Sequence, residues 1–395
     1  MPYVSFCGRP FSHTKYYLRI VSPVGSVRLA FANYYFRYDD NPNIASNRKL
    51  LSSSKKDMIK PQRNKQANKK LPYLLRRLLF MKKQIVKVNP FYEPRMWGGG
   101  TRLRDEFHYV TDVAPLGEVY NVVALKDHAD CYIPEMEMTL SELYTACPDW
   151  FSCDTEELPI RVNILDPVEK LSIQIHPDDD FARMYNGGRG KPEAWVILDT
   201  IEGGEIQFGH NAKNKEEFVN WTENKEWDKL LRYLKAEKDG FIDIPAGTLH
   251  AIGKGVLTYN ISRNADCTLR LYDYDRIEPA TGKKRDIQPK EVYDNVNLPD
   301  HSTTFVHYPA AVELGVKVTR YWDQPGLYTL IRLQTTQKGR FLHERFAFYT
   351  CVNGEGTING VPIRKGETIL VPEGTGWLDI EGDLDLFLAS YRNEN

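Results

Sequence analysis

Apolar and polar positions alternate along residues 171–176, with Leu171, Ile173 and Ile175 set against Ser172, Gln174 and His176. A period of two sends each set to its own face of an extended chain, so this stretch predicts a strand carrying Gln174 and His176 on one side. Pro177 and the run Asp178, Asp179 and Asp180 open a short helical pattern, where acids suit a helix N-terminus, and the NGGRG run at 186–190 stops it. Residues 191–198 (KPEAWVIL) read as a second strand, on which Lys191 and Glu193 share a face. In residues 240–252 a third strand meets a Pro/Gly turn and re-enters extended structure at His250.

Apolar residues recur at helical spacing over residues 215–236, which predicts a helix there with Trp221, Trp227 and Leu231 as packing residues; a second helical piece is expected over residues 138–151. Beyond a polar linker at 295–304 the pattern returns to short strands, with turns expected at Asn353-Gly354, Asn359-Gly360, Lys365-Gly366 and Glu373-Gly374. That spacing suits a small β-barrel or sandwich. Residues 240–250 (GFIDIPAGTLH) resemble residues 366–377 (GETILVPEGTGW), a weak internal repeat that predicts the same fold twice. Aligning Pro245 with Pro372 puts Trp377 where His250 stands, and His343 has no matching partner, so the second barrel is expected to be structural and metal-free.

Charge divides the chain. Residues 1–80 carry 16 Lys+Arg against Asp39, Asp40 and Asp57, whereas the rest holds the other 36 basic and 50 acidic residues, although the whole has a formal net charge of -1. Residues 52–70 (SSSKKDMIKPQRNKQANKK) are polar and aperiodic, and bury too little surface to offset the entropy of ordering. Residues 1–80 are therefore expected to be a disordered or non-native extension, dispensable for folding and activity. A targeting segment and a nucleic-acid or membrane-surface tail are the competing readings. We expect a catalytic domain over 81–300 and a C-terminal barrel over 301–395. No stretch has 18 or more uninterrupted apolar residues, and the six scattered cysteines lack CxxC spacing, which argues against a disulfide framework or thiolate zinc site. A cytoplasmic protein acting on a small molecule is expected, with neither nucleic acid nor membrane as partner.

Gln174, His176, Glu193 and His250 form a candidate four-ligand metal site. Two imidazoles and one carboxylate with open positions suit catalytic zinc, although iron, manganese or nickel accept similar ligands. Each residue alone has a plainer reading: a solvent-facing strand position, a surface carboxylate, a satisfied histidine near a turn.

Together the segments resemble the type I mannose-6-phosphate isomerases, zinc enzymes of the cupin superfamily. The resemblance is carried by residues 171–179 (LSIQIHPDD), 190–198 (GKPEAWVIL), 247–253 (GTLHAIG) and 268–276 (TLRLYDYDR), with 89–99 (NPFYEPRMWGG) and 158–166 (LPIRVNILD). It implies a mainly β chain of two cupin-type jelly-roll barrels, with a helical insertion covering one end of the metal-bearing one. It also implies one zinc held by Gln174, His176, Glu193 and His250, with Arg270 and Lys191 as catalytic and phosphate-handling groups. The implied reaction interconverts mannose 6-phosphate and fructose 6-phosphate by proton transfer through a cis-enediol. The proton-moving group stays open among a histidine, Lys191, a carboxylate and a water on the metal. The chain departs from the family pattern at residues 117–120 (GEVY) and 262–267 (SRNADC), neither of which removes a ligand. A cupin that binds sugar without turnover and an iron-dependent cupin dioxygenase are the alternatives; neither calls for Lys191 and Arg270 beside the metal.

Overall fold

The structure is a computed structural model that describes residues 82–278 and 281–394, preceded by three short strands. Those strands, Val4–Ser5, Tyr17–Ser22 and Gly25–Ala30, form an antiparallel sheet within a unit spanning Met1–Asn64. The rest of residues 1–81, including the stretch 52–70 read as disordered, lies outside the described residues.

The unit Lys65–Asn395 is mainly β. Its first half runs β1 (Val86–Val88), β2 (Phe91–Pro94), β3 (Leu116–Val122), α1 (Leu140–Ala146), β4 (Ile160–Leu165), β5 (Ile173–Ile175), α2 (Asp179–Asn186), β6 (Glu193–Thr200) and β7 (Glu205–His210). It continues through α3 (Lys215–Glu223), α4 (Trp227–Leu230), β8 (Leu231–Lys235), β9 (Phe241–Ile244), β10 (His250–Ile252), β11 (Val256–Arg263), β12 (Leu269–Tyr272) and α5 (Pro289–Asn295). Two antiparallel sheets result, in the orders β9-β6-β11-β4-β3-β2 and β8-β7-β10-β5-β12. Between them lie Trp97, Trp195, Ile197, Phe208, Ile242 and Ile252, the interior of the first barrel.

The outer face of the five-stranded sheet is apolar. Ile173, Ile175, Leu249, Leu269 and Leu271 pack there against Phe218 of α3, Leu230 of α4 and Val292 of α5, so the helices exist to cover a face that would otherwise meet water. Trp221, Trp227 and Leu231 belong to this cluster as packing residues. The continuous helix expected over residues 215–236 is not formed. Lys225 takes a φ of +55°, the second helix is one turn long, and residues 231–235 become a strand on the edge of the sheet. The alternation of Leu231 and Tyr233 with Arg232 had a strand period, and pairing with β7 decided the outcome. The 138–151 piece is an α-helix at Leu140–Ala146, started by a capping box between Thr139 and Glu142, and then a single 3-10 turn at Pro148–Trp150.

The second half runs β13 (Ala311–Glu313), β14 (Val316–Asp323), β15 (Thr329–Thr335), β16 (Lys338–His343), β17 (Ala347–Ile358), β18 (Val361–Arg364), β19 (Thr368–Val371) and β20 (Gly376–Ser390). Its sheet follows the order β13-β14-β15-β20-β17-β19-β1, with β16 on β20 and β18 on β17. Its last strand comes from the other end of the unit: Val86, Lys87 and Val88 pair with Leu370, Ile369 and Thr368. Val316, Phe341, Tyr349, Ile369, Leu378 and Leu386 fill the barrel. A third apolar layer joins the halves, where Tyr259 of β11 stacks on Phe387 of β20 with ring centroids 4.3 Å apart. Three of the four expected turns form. Asn359 and Gly360, with φ of +49° and +77°, make the two-residue link of a hairpin. Asn353-Gly354 instead lies inside β17, at a register shift opposite β20; Gly354 takes a φ of +81° there, so the pair is a bulge rather than a turn.

His343 is 8 % exposed and its Nε2 has no partner. Burial, with Arg345 nearby and against the pull of Asp323, pushes its pKa down to about 4. Between that value and the ordinary histidine range the unfolded chain binds a proton that the folded chain refuses, so stability falls as pH drops through this window. The loss amounts to about 2 to 3 kcal/mol by pH ~4.5. Urea midpoints at pH 7 and 4.5 should therefore differ more for the native sequence than for His343→Phe; an equal difference removes His343 as the cause.

Candidate active site

The inner face of the first barrel collects polar side chains by strand register. On the five-stranded sheet Gln174 pairs with His250 on one side and with Arg270 on the other. On the facing sheet Glu193 pairs with Ser262, and Ser262 with Arg161. Paired residues project to the same face. His176 follows β5 directly, and the turn before His250 is tied back to it, the Gly247 N–H donating to the His176 carbonyl at 2.8 Å. Gly247 has a φ of +80°, and a Cβ there would lie 2.7 Å from the Asn295 carbonyl oxygen, so the turn that delivers His250 requires glycine.

His176, Glu193 and His250 converge, each with one ligand atom within 4.8 Å of the others'. His176 Nε2 lies 3.4 Å from Glu193 Oε2, and His250 Nε2 lies 3.5 Å from Glu193 Oε1. All three are buried. Each imidazole is 2.9 Å through its Nδ1 from a backbone carbonyl, that of Cys267 for His176 and that of Thr248 for His250. The proton then sits on Nδ1, and each Nε2 lone pair is left bare and buried without a partner. Burial, then Lys191, lowers the pKa of His176, and burial brings His250 to about 4, so both rings are neutral at pH 7. Burial alone would raise Glu193, but the Lys191 ammonium, with Nζ at 3.1 Å, holds it well below the usual carboxylate range. Trp195 Nε1 donates to its Oε1 at 3.0 Å and Asn260 Nδ2 to its Oε2 at 3.2 Å, fixing the carboxylate plane. Two neutral nitrogens and one ionised carboxylate, all deprotonated and preoriented, are the donor set a divalent cation such as zinc takes. Gln174, half-buried, lines the same cavity, and its amide oxygen accepts from Ser172 Oγ at 3.0 Å.

The cavity over this centre measures about 260 Å³, and Arg95, Arg161, Lys191, Arg270 and Arg285 line it. Three of these cations are paired: Arg95 with Glu93 and Glu118, Lys191 with Glu193, and Arg285 with Asp273. Arg161 and Arg270 form no ion pair among the described residues. Burial, then the nearby Arg285, lowers the pKa of Arg270, which remains a cation. Tyr272, Asp273 and Arg276 take ordinary roles, Tyr272 stacking on Trp227 and Asp273 bonding Arg276 and Arg285.

All six residues singled out from the sequence thus border one cavity. Arg161, Asn163, Asn260 and Glu118 also border it and were not singled out. Arg161 and Asn163 had a signal, since they are the polar members of a period-two alternation within LPIRVNILD.

No protein-family model matches the chain. A mannose-6-phosphate isomerase of Bacillus subtilis (strain 168), ManA, is 34% identical over 305 residues, covering 74% of this chain and 94% of the relative. One of Streptococcus mutans is 31% identical over 334 residues, covering 80% of this chain and 98% of the relative. The crystal structure of the mannose 6-phosphate isomerase from Bacillus subtilis superposes with a TM-score of 0.73 at 27% identity, covering 78% of this chain and 99% of that one. A zinc-bound mannose 6-phosphate isomerase shares the fold at a TM-score of 0.63 and 13% identity. The match spans nearly the whole of each relative and about three quarters or more of this chain, and the chain belongs to the mannose-6-phosphate isomerase family.

Proposed function

We propose that this chain is a zinc-dependent aldose–ketose isomerase that interconverts mannose 6-phosphate and fructose 6-phosphate. The observation that carries the reading is the pair of buried, bare Nε2 lone pairs on either side of an ionised Glu193, under a cavity with two cations that have no counter-ion among the described residues. His176, Glu193 and His250 hold the metal, with Gln174 as the fourth ligand beside His250. Zinc in this position supplies Lewis-acid polarisation of the sugar's carbonyl and hydroxyl oxygens.

The reaction moves one proton between C2 and C1 through a cis-enediol while a second proton shifts between the oxygens, and no electrons leave the substrate. Arg270 lines this cavity with a guanidinium that forms no ion pair among the described residues and whose Nε is buried without a partner, which leaves donors for an oxygen on which negative charge grows. Lys191, held against Glu193, adds a fixed positive charge at the edge of the ligand set and steadies the carboxylate. Trp97, Trp195 and Ile252 add apolar surface to a largely polar wall, and these electrostatic contacts strengthen as bound substrate displaces water from it.

The cytoplasm is the compartment we propose, supported by five free thiols at Cys131, Cys147, Cys153, Cys267 and Cys351. Among the described residues no helix is long and apolar enough to cross a membrane. A coupled assay supplying fructose 6-phosphate to zinc-loaded and chelated protein tests the function. Mannose 6-phosphate should form only in the loaded sample; its absence there overturns the reading and leaves a metal-bearing sugar binder.

A further inference from the structure

Arg161 is the anomaly of the cavity wall. It is 3 % exposed, forms no ion pair among the described residues, and makes one long hydrogen bond, from Nε to Asn264 Oδ1 at 3.4 Å. Its Nη2 is buried without any partner. The ring of Tyr120 lies 5.6 Å from the guanidinium carbon, a weak contact for a cation removed from water. Burying a charge this way is costly unless an anion compensates it, and the protein does supply compensation elsewhere in the same cavity: Arg95, also next to Tyr120, has two carboxylates of its own. Arg161 has been left without one on the wall that substrate must touch.

Position separates it from Arg270. Arg270 is one strand away from Gln174, at the metal end. Arg161 stands in the row Glu193, Ser262, Arg161, two strands from the carboxylate ligand. Two strand spacings put it roughly 10 Å from Glu193 at the Cα atoms, which suits an open-chain hexose phosphate lying with its first two carbons at the metal and its far end at Arg161. In the neighbouring row of the same sheet, Asn260 Oδ1 and Asn163 Oδ1 are also buried and unpartnered, and both residues line the cavity. They add polar acceptors to the wall beside Arg161.

We propose that Arg161 is the residue that receives the phosphate group of the sugar phosphate, leaving Arg270 to the reacting carbons. This assignment rests on the functional reading above. A phosphate dianion meets the fork of a guanidinium through paired hydrogen bonds, and the interaction is strongest where water is excluded.

The test compares zinc-replete native protein with Arg161→Met and Arg161→Lys. Three quantities are read on each: kcat and KM for fructose 6-phosphate, the rise in thermal midpoint produced by inorganic phosphate, and zinc content. Arg161→Met should raise KM at least about tenfold with a smaller change in kcat, as loss of a charge-assisted contact far from the chemistry does. It should also abolish the protection by phosphate and keep its zinc. Arg161→Lys should fall between the two. Met or Lys variants with KM within twofold of native and undiminished phosphate protection would overturn the assignment. If Arg161→Met does not fold, Arg161→Lys decides by the same criterion. Should the native protein prove inactive on the sugar phosphate, loss of phosphate protection in the variants would still uphold an anion site at Arg161 while the isomerase reading falls.

Discussion

Replacing His250 with alanine is expected to strip the centre of zinc and to lower turnover about a thousandfold. A metal that polarises a carbonyl is worth several kcal/mol of transition-state stabilisation, and about 4 kcal/mol corresponds to three powers of ten. His250 contributes a buried Nε2 with no other partner, so nothing nearby takes over its place. Its Nδ1 contact with the Thr248 carbonyl, 2.9 Å, sets the ring so that the lone pair faces Glu193. Chelation of the native protein should abolish turnover and added zinc restore it, whereas the variant should remain inactive at the same zinc concentration. His210 provides the control, being a buried histidine whose Nε2 is 2.8 Å from the Asn297 carbonyl and which lies outside the convergent set. His210→Ala should keep its zinc. Full zinc content in purified His250→Ala would refute the ligand assignment.

Arg270→Ala should lose about a hundredfold or more in kcat while zinc content stays near one per chain. A preorganised cation aimed at a developing oxyanion in a water-poor site contributes about 3 kcal/mol by analogy with oxyanion-hole deletions. The stability readout separates this from a packing role. Because Arg270 forms no ion pair among the described residues and its Nε is buried without a partner, its removal breaks no such contact there and relieves part of the cost of burying a charge. The thermal midpoint should therefore hold or rise. Arg270→Lys should recover little, since a point charge cannot reproduce two parallel donors. Turnover within a few fold of native in Arg270→Ala would take this residue out of the catalytic set.

Which side chains share a face on each strand was legible from local sequence, whereas their convergence from two facing sheets was not. Gln174 and His176 share a face by strand period, Lys191 and Glu193 do so by the same rule, and Gly247 marks the turn that brings His250 back. What period alone does not carry is which strands become neighbours. The row from Glu193 through Ser262 to Arg161 joins residues on three strands, and only the sheet order makes them adjacent. Arg161 was therefore not singled out. The same limit explains the Leu231–Lys235 strand, whose five residues fit a helix continuing from α4 until an edge of the sheet offers them hydrogen bonds. Asn353-Gly354 is the converse case: its residues favour a left-handed turn, and the long pairing of β17 with β20 absorbs them as a bulge.

The pairing of Val86–Val88 with Thr368–Val371 ties the second barrel's sheet to a strand that precedes the whole first barrel. During synthesis from the N-terminus, this strand leaves the ribosome early and must wait, unpaired, until some 280 further residues have been made; at roughly 5 to 20 residues per second that is about 15 to 60 seconds. In that interval Val86 and Val88, buried at the end, are open to any chaperone or sticky edge within reach. Closing the sheet is thus a late, long-range event with a large loop to draw in, which places the slow step of folding at the seam between this unit's first strand and nearly its last.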